Sequence, residues 1–276
     1  MNALPEEDPY GLRKRFEFVR ALIEERRPAA VAEIGCGSGA YLLLPLARAF
    51  PAVRFLGVDP DAQSIAQARR QDGPGNLDFA VGVDAPGRWD LVIASEVIEH
   101  VEHPVRFLAG LRAHLHPGGT IVLTTPNGYG PFEWASLLQS ILQVSGALAA
   151  LGRLWRRARG REPVAVVRDS YAVSPHINFF SWRDIHSIIA ASGCRVLAYR
   201  GRTWLCGFGL DLIGRWPRAA RFNARLADRL SPRLVSDWMF VIEPGQSPPA
   251  GGEYVRGSWV RMRRALNEKA CGAGRR

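Results

Sequence analysis

The chain is poor in cysteine, in acids and in long apolar runs. Its four cysteines (Cys36, Cys194, Cys206 and Cys271) are scattered through 276 residues with no CxxC pair. That excludes a disulfide framework and fits a reducing compartment, so a cytoplasmic setting is expected. No run reaches the roughly 18 apolar residues that a membrane-spanning helix needs. The opening Met-Asn-Ala-Leu-Pro-Glu-Glu-Asp is acidic and has no apolar core, so it is not expected to act as a signal peptide. No internal repeat is present. The shortage of acids leaves a net charge of +10, carried almost entirely by arginine. Such a balance permits nucleic acid, an anionic membrane surface or an acidic substrate as partner, and equally fits an arginine-rich proteome. With 47% apolar and 22% charged residues, the chain has ordinary globular proportions and enough length to bury a core without staples.

What is present is concentrated in one stretch, Val31-Ala32-Glu33-Ile34-Gly35-Cys36-Gly37-Ser38-Gly39-Ala40, followed by Tyr41 to Phe50 and Val53 to Asp59. It reads as strand, glycine turn, helix, and a second strand ending in an acid. Glycines let the backbone turn tightly and lie against a ligand, and the helix behind them offers unpaired N–H groups. An acid at the next strand tip, Asp59, suits a ribose diol. These parts describe a nucleoside-type cofactor site. Gly35-x-Gly37-x-x-Ala40 satisfies the dinucleotide fingerprint. Glu33-x-Gly35-x-Gly37-x-Gly39 is a second parse of the same residues.

Further along, a leading helix is expected over residues 10–28, closed by Pro28. Asp61 sits at the N-cap of a helix through Ile65 to Ala68. Strands are expected at 77–81 and 89–95, then a helix from Val105 to Leu115, a Pro117-Gly118-Gly119 turn and a strand from Thr120 to Thr125. A helix over 182–191 and strands at 194–199 and 237–243 complete the set. Alternating β and α elements with short links predict an α/β fold, a doubly wound, mostly parallel seven-stranded sheet. Glu33 to Gly39, Asp59, Asp84 and Ser95-Glu96 all fall at strand ends on one edge, where such folds bind ligands.

The run Trp89-Asp-Leu-Val-Ile-Ala-Ser-Glu-Val-Ile-Glu-His-Val101, then His103-Pro104, then Leu115-His-Pro-Gly-Gly-Thr-Ile-Val-Leu-Thr-Thr-Pro-Asn127, resembles the class I S-adenosylmethionine-dependent methyltransferase core. It is closest to the branch containing ubiquinone-type O-methyltransferases. The resemblance covers residues 30–127 and resumes at His176-Ile177-Asn178-Phe179-Phe180-Ser181. It implies a Rossmann-like methyltransferase core over 30–127 and 176–244, a leading helix within 1–29, a lid over 128–175, a second insertion before the last strand, and a basic, mobile tail over 245–276. It also implies that Glu33, Gly35, Gly37 and Gly39, with Cys36 in the same turn, hold the amino-acid end of S-adenosylmethionine. Asp59 would take the ribose hydroxyls, Pro60 would border the adenine, Asp84 and Ala85 would meet it, and Ser95 with Glu96 would line the pocket floor.

The lid contains Phe132-Glu133-Trp134 and the apolar stretch from Leu137 to Leu148, then Arg153, Arg156, Arg157, Arg159 and Arg161. Its apolar face would shape a pocket for an apolar or aromatic acceptor. It would equally suit peripheral membrane contact, with arginines against anionic lipid. Thr203 to Pro232 forms the second insertion, and Val255 to Leu266 can form a short basic helix.

Methyl transfer to a hydroxyl needs alignment of the nucleophile and removal of a proton. His100 and His176 are the candidate bases, His100 first. Glu96, Glu99 and His100 have i, i+3, i+4 spacing, and with His176 they make a divalent-metal set. That pattern resembles the small-RNA 2′-O-methyltransferases. The favoured expectation is O-methylation of a small hydroxylated apolar or aromatic acceptor, without metal. Metal-assisted methylation of an RNA ribose and a non-catalytic cofactor-binding partner subunit are the alternatives, with a nicotinamide dehydrogenase a distant fourth.

Overall fold

The computed structural model describes residues 7–150, 153 and 175–273. Its core is one seven-stranded sheet in the order β3-β2-β1-β4-β5-β7-β6. The strands are β1 (Ala30–Ile34), β2 (Arg54–Asp59), β3 (Leu77–Val81), β4 (Trp89–Ser95), β5 (Leu115–Pro126), β6 (Cys194–Gly201) and β7 (Asp237–Pro244). β7 runs antiparallel to both β5 and β6, and the other pairings are parallel. This is the Rossmann-like methyltransferase topology.

Strand alternation sends neighbouring residues to opposite faces. Val31, Phe55, Leu91, Ile93 and Val122 pack under α1 (Leu12–Arg26) and α2 (Leu43–Ala49). On the other face Ala32, Val92, Ala94, Ile121 and Phe240 pack under α4 (Pro104–Ala113) and α6 (Trp182–Ala191). β1 is buried along its whole length, as a central parallel strand covered on both faces must be. α3 (Ala62–Arg69) is capped by Asp61, whose carboxylate accepts from the Gln63 and Ser64 N–H groups. Ser181 and Asp184 form a capping box that starts α6.

Two of the boundaries that differ from expectation have a clear local reason. α2 begins at Leu43 rather than at Tyr41. Pro45 has no N–H to donate and is tolerated only in a helix's first turn, which fixes the start close to it. β5 begins at Leu115 and runs through Pro117-Gly118-Gly119. Leu115 pairs with Trp89 across an irregularity in the register, and a Cβ on Gly119 would lie 3.0 Å from the Trp89 carbonyl oxygen. A side chain there would push the two backbones apart by a few tenths of an ångström.

Two additions flank the sheet. α5 (Pro131–Val144) follows β5, and α7 (Pro217–Ala227) lies between β6 and β7. The tail does not stay loose throughout: Ser258–Ala273 forms α8, which packs against α5. Its helix buries Val260, Arg263, Asn267 and Ala270, a stripe of i, i+3, i+4 spacing hidden among arginines.

Candidate active site

The glycine turn has the geometry of a ligand cradle. Gly35, Gly37 and Gly39 all take positive φ, at 75°, 54° and 66°. A Cβ on Gly35 would strike Val97 at 2.3 Å, and one on Gly39 would strike the Phe79 ring at 2.7 Å. A Cβ on Gly37 meets nothing within 4 Å, so its backbone faces open space. Asp59, at the tip of β2, ties the turn down: one oxygen accepts from the Gly37 N–H at 2.8 Å and the other from the Asp61 N–H at 2.8 Å. A carboxylate oxygen has a further lone pair, so each retains capacity for a ribose hydroxyl.

Glu33 is the charged residue of β1 and only 4% exposed. Its Oε2 has no hydrogen-bond partner. Burial pushes its carboxyl up to about 8, with the Arg15 charge pulling down and Asp59 pushing up. A buried acid oxygen without a donor is costly unless a ligand satisfies it, and the ammonium of an amino acid is the matching group. Cys36 is half-buried, and burial raises its thiol far above the usual range. It stays protonated and is no nucleophile.

At the end of β4 the chain places Ser95 and Glu96, which takes φ 58°. The Arg15 Nη1 donates to Ser95 Oγ at 2.9 Å. Glu96 accepts from Thr124 Oγ1 at 2.6 Å and pairs with Arg202 at 3.0 Å. Arg202 also pairs with Asp237 at 2.9 Å, and both side chains are almost fully buried. Burial opposes charge on both acids. At Glu96 the Arg202 and Arg15 charges outweigh it and hold the carboxyl low, whereas at Asp237 burial prevails and raises it. Ala85 is buried, while Pro60 and Asp84 are exposed beside it on the same edge.

Beyond Glu96 the chain makes a short 3-10 turn, Ile98–His100. The segment from Ile177 to Asn178 clamps it. The Ile177 and Asn178 N–H groups both donate to the Glu99 carbonyl at 3.0 Å, and Asn178 Nδ2 donates to the carbonyls of Ile98 and Val101. This brings the His100 and His176 rings to 4.9 Å. Glu99, His100 and His176 present ligand atoms within 4.8 Å of one another. Glu96, the fourth member of the expected metal set, is instead turned to Arg202.

His176 is 5% exposed, and its Nδ1 donates to Glu133 of α5 at 2.7 Å. Glu133 is held in turn by Arg263 of α8 at 2.9 Å. Burial lowers the His176 pKa, but Glu133 outweighs it and raises it to about 9. Burial, then the His176 charge, push His100 down to about 4. Burial and the Glu96 charge push Glu99 up to about 8. The balance of burial and neighbouring charge thus pushes Glu99 toward its protonated form, His100 toward its neutral form and His176 toward its cationic form. The His100 Nδ1 faces the Pro175 carbonyl at 3.3 Å. A carbonyl only accepts, so the proton of a neutral His100 sits on Nδ1 and Nε2 is its basic nitrogen.

The structure thus gathers the glycine turn, Asp59, Ser95 and Glu96 on one edge, with the two histidines beyond them. Arg15, Glu133, Arg202 and Arg263 are the members that sequence reasoning missed. Arg156, Arg157, Arg159 and Arg161 of the expected lid lie outside the described residues. α5 turns Glu133, Ala135 and Ser140 inward and leaves Trp134, Leu138 and Ile141 exposed, so part of the expected pocket-forming apolar face points outward while Leu137, Leu142 and Val144 are half-buried. Phe132, 5.9 Å from His176, is the aromatic that stays with the histidines.

A sheet of this order, with a glycine turn at the end of its first strand and an acid at the tip of the second, defines a Rossmann-like α/β protein that binds a nucleoside cofactor. The profile of the family described as Methyltransferase domain matches residues 7–199. The chain belongs to that family and is a class I S-adenosylmethionine-dependent methyltransferase. It is 36% identical over 148 residues to trans-aconitate 2-methyltransferase of Deinococcus radiodurans, covering 53% of this chain and 56% of that protein. It is 35% identical over 127 residues to a ubiquinone biosynthesis O-methyltransferase of Bradyrhizobium sp., covering 44% of this chain and 47% of that one. The chain thus spans about half the length of the curated relatives it matches. Among solved structures, PKMT2 from Rickettsia typhi superposes with TM-score 0.50 at 15% identity, covering 82% of this chain and 51% of that one. The O-methyltransferase region of StiE also gives 0.50, at 13% identity, over 94% of this chain and 79% of that one. These likenesses show the fold.

The residues present fit the cofactor. Glu33 would offer the ammonium a buried carboxyl whose Oε2 lacks a partner, which ionises as the ammonium binds, Gly37 an open backbone, and Asp59 two acceptors for the ribose. Replacing Asp59 by Ala removes those acceptors and frees the turn. Affinity for S-adenosylhomocysteine, read by calorimetry, is expected to fall at least tenfold, the ~1.4 kcal/mol of one charge-assisted hydrogen bond.

The Glu33 carboxyl gives a pH-dependent expectation. Its pKa in the folded, cofactor-free protein is about 8, against an ordinary value near 4.5. Between those values the folded protein holds a proton that the unfolded chain releases, so this group's contribution to stability declines as pH rises through the window. A bound ammonium favours the carboxylate and expels the proton. Titrations of S-adenosylhomocysteine near pH 6.5 in buffers of different ionisation enthalpy are expected to report net proton release, reduced in Glu33→Gln.

Proposed function

We propose that the enzyme O-methylates a small hydroxylated apolar or aromatic acceptor, with His100 as general base. S-adenosylmethionine, when bound, supplies a methyl group on a sulfonium that a nucleophile can attack. Around it, Glu33, the glycine turn and Asp59 bind and orient. Arg15, beside Ser95, offers positive charge to the carboxylate end. The observation that carries the reading is the pair of unequal histidines on the cofactor's edge of the sheet. Burial holds His100 toward its neutral form, and with Nδ1 turned to the Pro175 carbonyl, Nε2 is the nitrogen that would take the acceptor's proton. Cationic His176, fixed by Glu133, favours an oxyanion nearby. Phe132 contributes an aromatic wall. The curated relatives, methyltransferases of ubiquinone biosynthesis and trans-aconitate, support a small-molecule acceptor.

The test is a panel of catechols, simple phenols, trans-aconitate and an RNA oligonucleotide, incubated with S-adenosylmethionine and analysed by mass spectrometry. Methyl ethers of the phenolic acceptors support the reading. Transfer to trans-aconitate alone, or no transfer to any acceptor from a cofactor-binding protein, contradicts it.

One observation favours a second reading. Glu99 Oε1 is buried without a hydrogen-bond partner and sits in the Glu99–His100–His176 cluster. The Glu133 contact to His176 Nδ1 is the outer carboxylate that metal-bound histidines commonly have, which makes Nε2 the nitrogen that would face a cation. In that reading the three residues hold a divalent cation that grips the hydroxyls of an RNA ribose. Mn²⁺ binding lost in Glu99→Gln, together with methylation of the RNA 3′ end, would bring it to the front.

A further inference from the structure

The insertion between β6 and β7 carries a surface that the methyl-transfer reading does not use. α7 is docked through small residues: Ala220, Ala224 and Ala227 are buried. Asn223 pins it, accepting from the Trp204 and Leu205 N–H groups and donating to the Leu205 carbonyl at 2.7 Å. The opposite side is unlike an ordinary solvated helix face. Arg218, Arg221, Phe222, Arg225 and Arg229 follow i, i+3, i+4 spacing and are all exposed, so they share one face. Phe222 is 64% exposed. Trp216 just before the helix is 72% exposed, Leu212 60%, and Leu234 after it 55%. Arg233 is exposed as well.

The local acids are spent elsewhere. Asp211 accepts from Tyr10 Oη at 2.7 Å and from the Gly207 N–H at 2.8 Å, and Asp228 pairs with Lys14 at 3.0 Å. Among the described residues no carboxylate lies within ion-pair distance of Arg218, Arg221, Arg225, Arg229 or Arg233. α7 thus presents guanidinium groups without a carboxylate partner among the described residues, with Phe222 between them and exposed Leu212, Trp216 and Leu234 on its flanking segments.

We propose that this face, Leu212 to Leu234, docks on an anionic phospholipid bilayer. The charge pattern matches a surface of lipid phosphates. Tryptophan and phenylalanine are at home at the headgroup level, while arginine stems lie along the apolar layer with their charges in the headgroups. Nucleic acid would answer the charge and stack on the aromatics, but Leu212 and Leu234 offer it nothing. A bilayer takes all four apolar side chains. Among the described residues no helix is long and apolar enough to cross a membrane, so the contact is interfacial. It lies on α7 and its flanks rather than on the lid, and it stands whatever the acceptor is.

The test is co-flotation of the full chain with phosphatidylcholine vesicles, with and without phosphatidylglycerol, and with a single-stranded RNA oligonucleotide as the competing ligand. The protein is expected to float with phosphatidylglycerol vesicles and not with phosphatidylcholine alone. A triple variant (Arg218→Glu, Arg221→Glu, Arg225→Glu) should weaken binding about 100-fold, each arginine near the surface being worth about fivefold. A double variant (Trp216→Ser, Phe222→Ser) should weaken it about tenfold while keeping the dependence on anionic lipid. All five side chains are exposed, so melting temperature and S-adenosylhomocysteine affinity should be unchanged. Unaltered flotation of the triple variant, flotation with neutral vesicles alone, or preference for RNA over anionic vesicles would overturn the proposal.

Discussion

Arg202→Met is expected to cost the fold about 3–5 kcal/mol, the usual price of removing one partner from a buried ion pair. Arg202 is 3% exposed and lies between Glu96 and Asp237. Without the guanidinium both carboxyls stay buried in a space that burial already makes hostile to charge. One must take up a proton, and Glu96 loses the partner that holds it in its left-handed conformation. At roughly 2–4 °C per kcal/mol for a domain approaching this size, the melting temperature should fall by about 10 °C. The same change loosens the pocket floor, so S-adenosylhomocysteine affinity falls with stability. Adding Asp237→Asn to Arg202→Met should restore part of the loss, because it removes one of the two stranded acids. Equal melting temperatures for Arg202→Met and the native chain would mean that the triad is ornamental.

His100→Gln should lower kcat by ~10²–10⁴ on whichever phenolic acceptor of the panel turns over, the range for loss of a general base. Glutamine keeps a hydrogen-bonding side chain of similar reach but cannot accept the proton. Cofactor affinity should change little, because His100 lies beyond the Ser95–Glu96 floor. His176→Gln differs in kind. It takes the imidazolium from the buried Glu133–Arg263 pair, leaving Glu133 with one of its two cationic partners, so its effect on melting temperature should exceed that of His100→Gln. A native kcat in His100→Gln would remove His100 from the chemistry and leave the three-residue cluster to a metal or to structure.

The sheet was legible because each strand is a short apolar run punctuated by glycine, proline or an acid. Those acids mark the C-terminal edge where ligands bind. Glu33, Asp59 and Glu96 could be found that way, since the turn and the strand tips place them by local rules alone. Arg15, Glu133, Arg202 and Arg263 could not. Each reaches the site from an element distant in sequence, Arg263 from a helix 130 residues beyond Glu133, and only tertiary packing brings them in. An arginine inside a basic tail reads as solvated. Here Arg263 is 1% exposed, because Glu133 and the Phe179 ring, 4.5 Å from the guanidinium carbon, accept it. The metal set shows the same limit. Spacing put Glu96 with Glu99 and His100 on one helical turn, but the chain there is a 3-10 turn that follows a residue with positive φ. Glu96 faces Arg202, and the other two face His176. The outward-facing Trp134, Leu138 and Ile141 of α5 were hidden for a related reason, since periodicity reports an apolar face but not which neighbour covers it.

The most direct test of the central claim is calorimetric titration of the chain with S-adenosylhomocysteine, run beside NAD and repeated with Mn²⁺ and with chelator. The account predicts one-to-one binding of S-adenosylhomocysteine that is indifferent to metal, weakened at least tenfold by Asp59→Ala, and no binding of NAD. NAD binding without S-adenosylhomocysteine binding would contradict it.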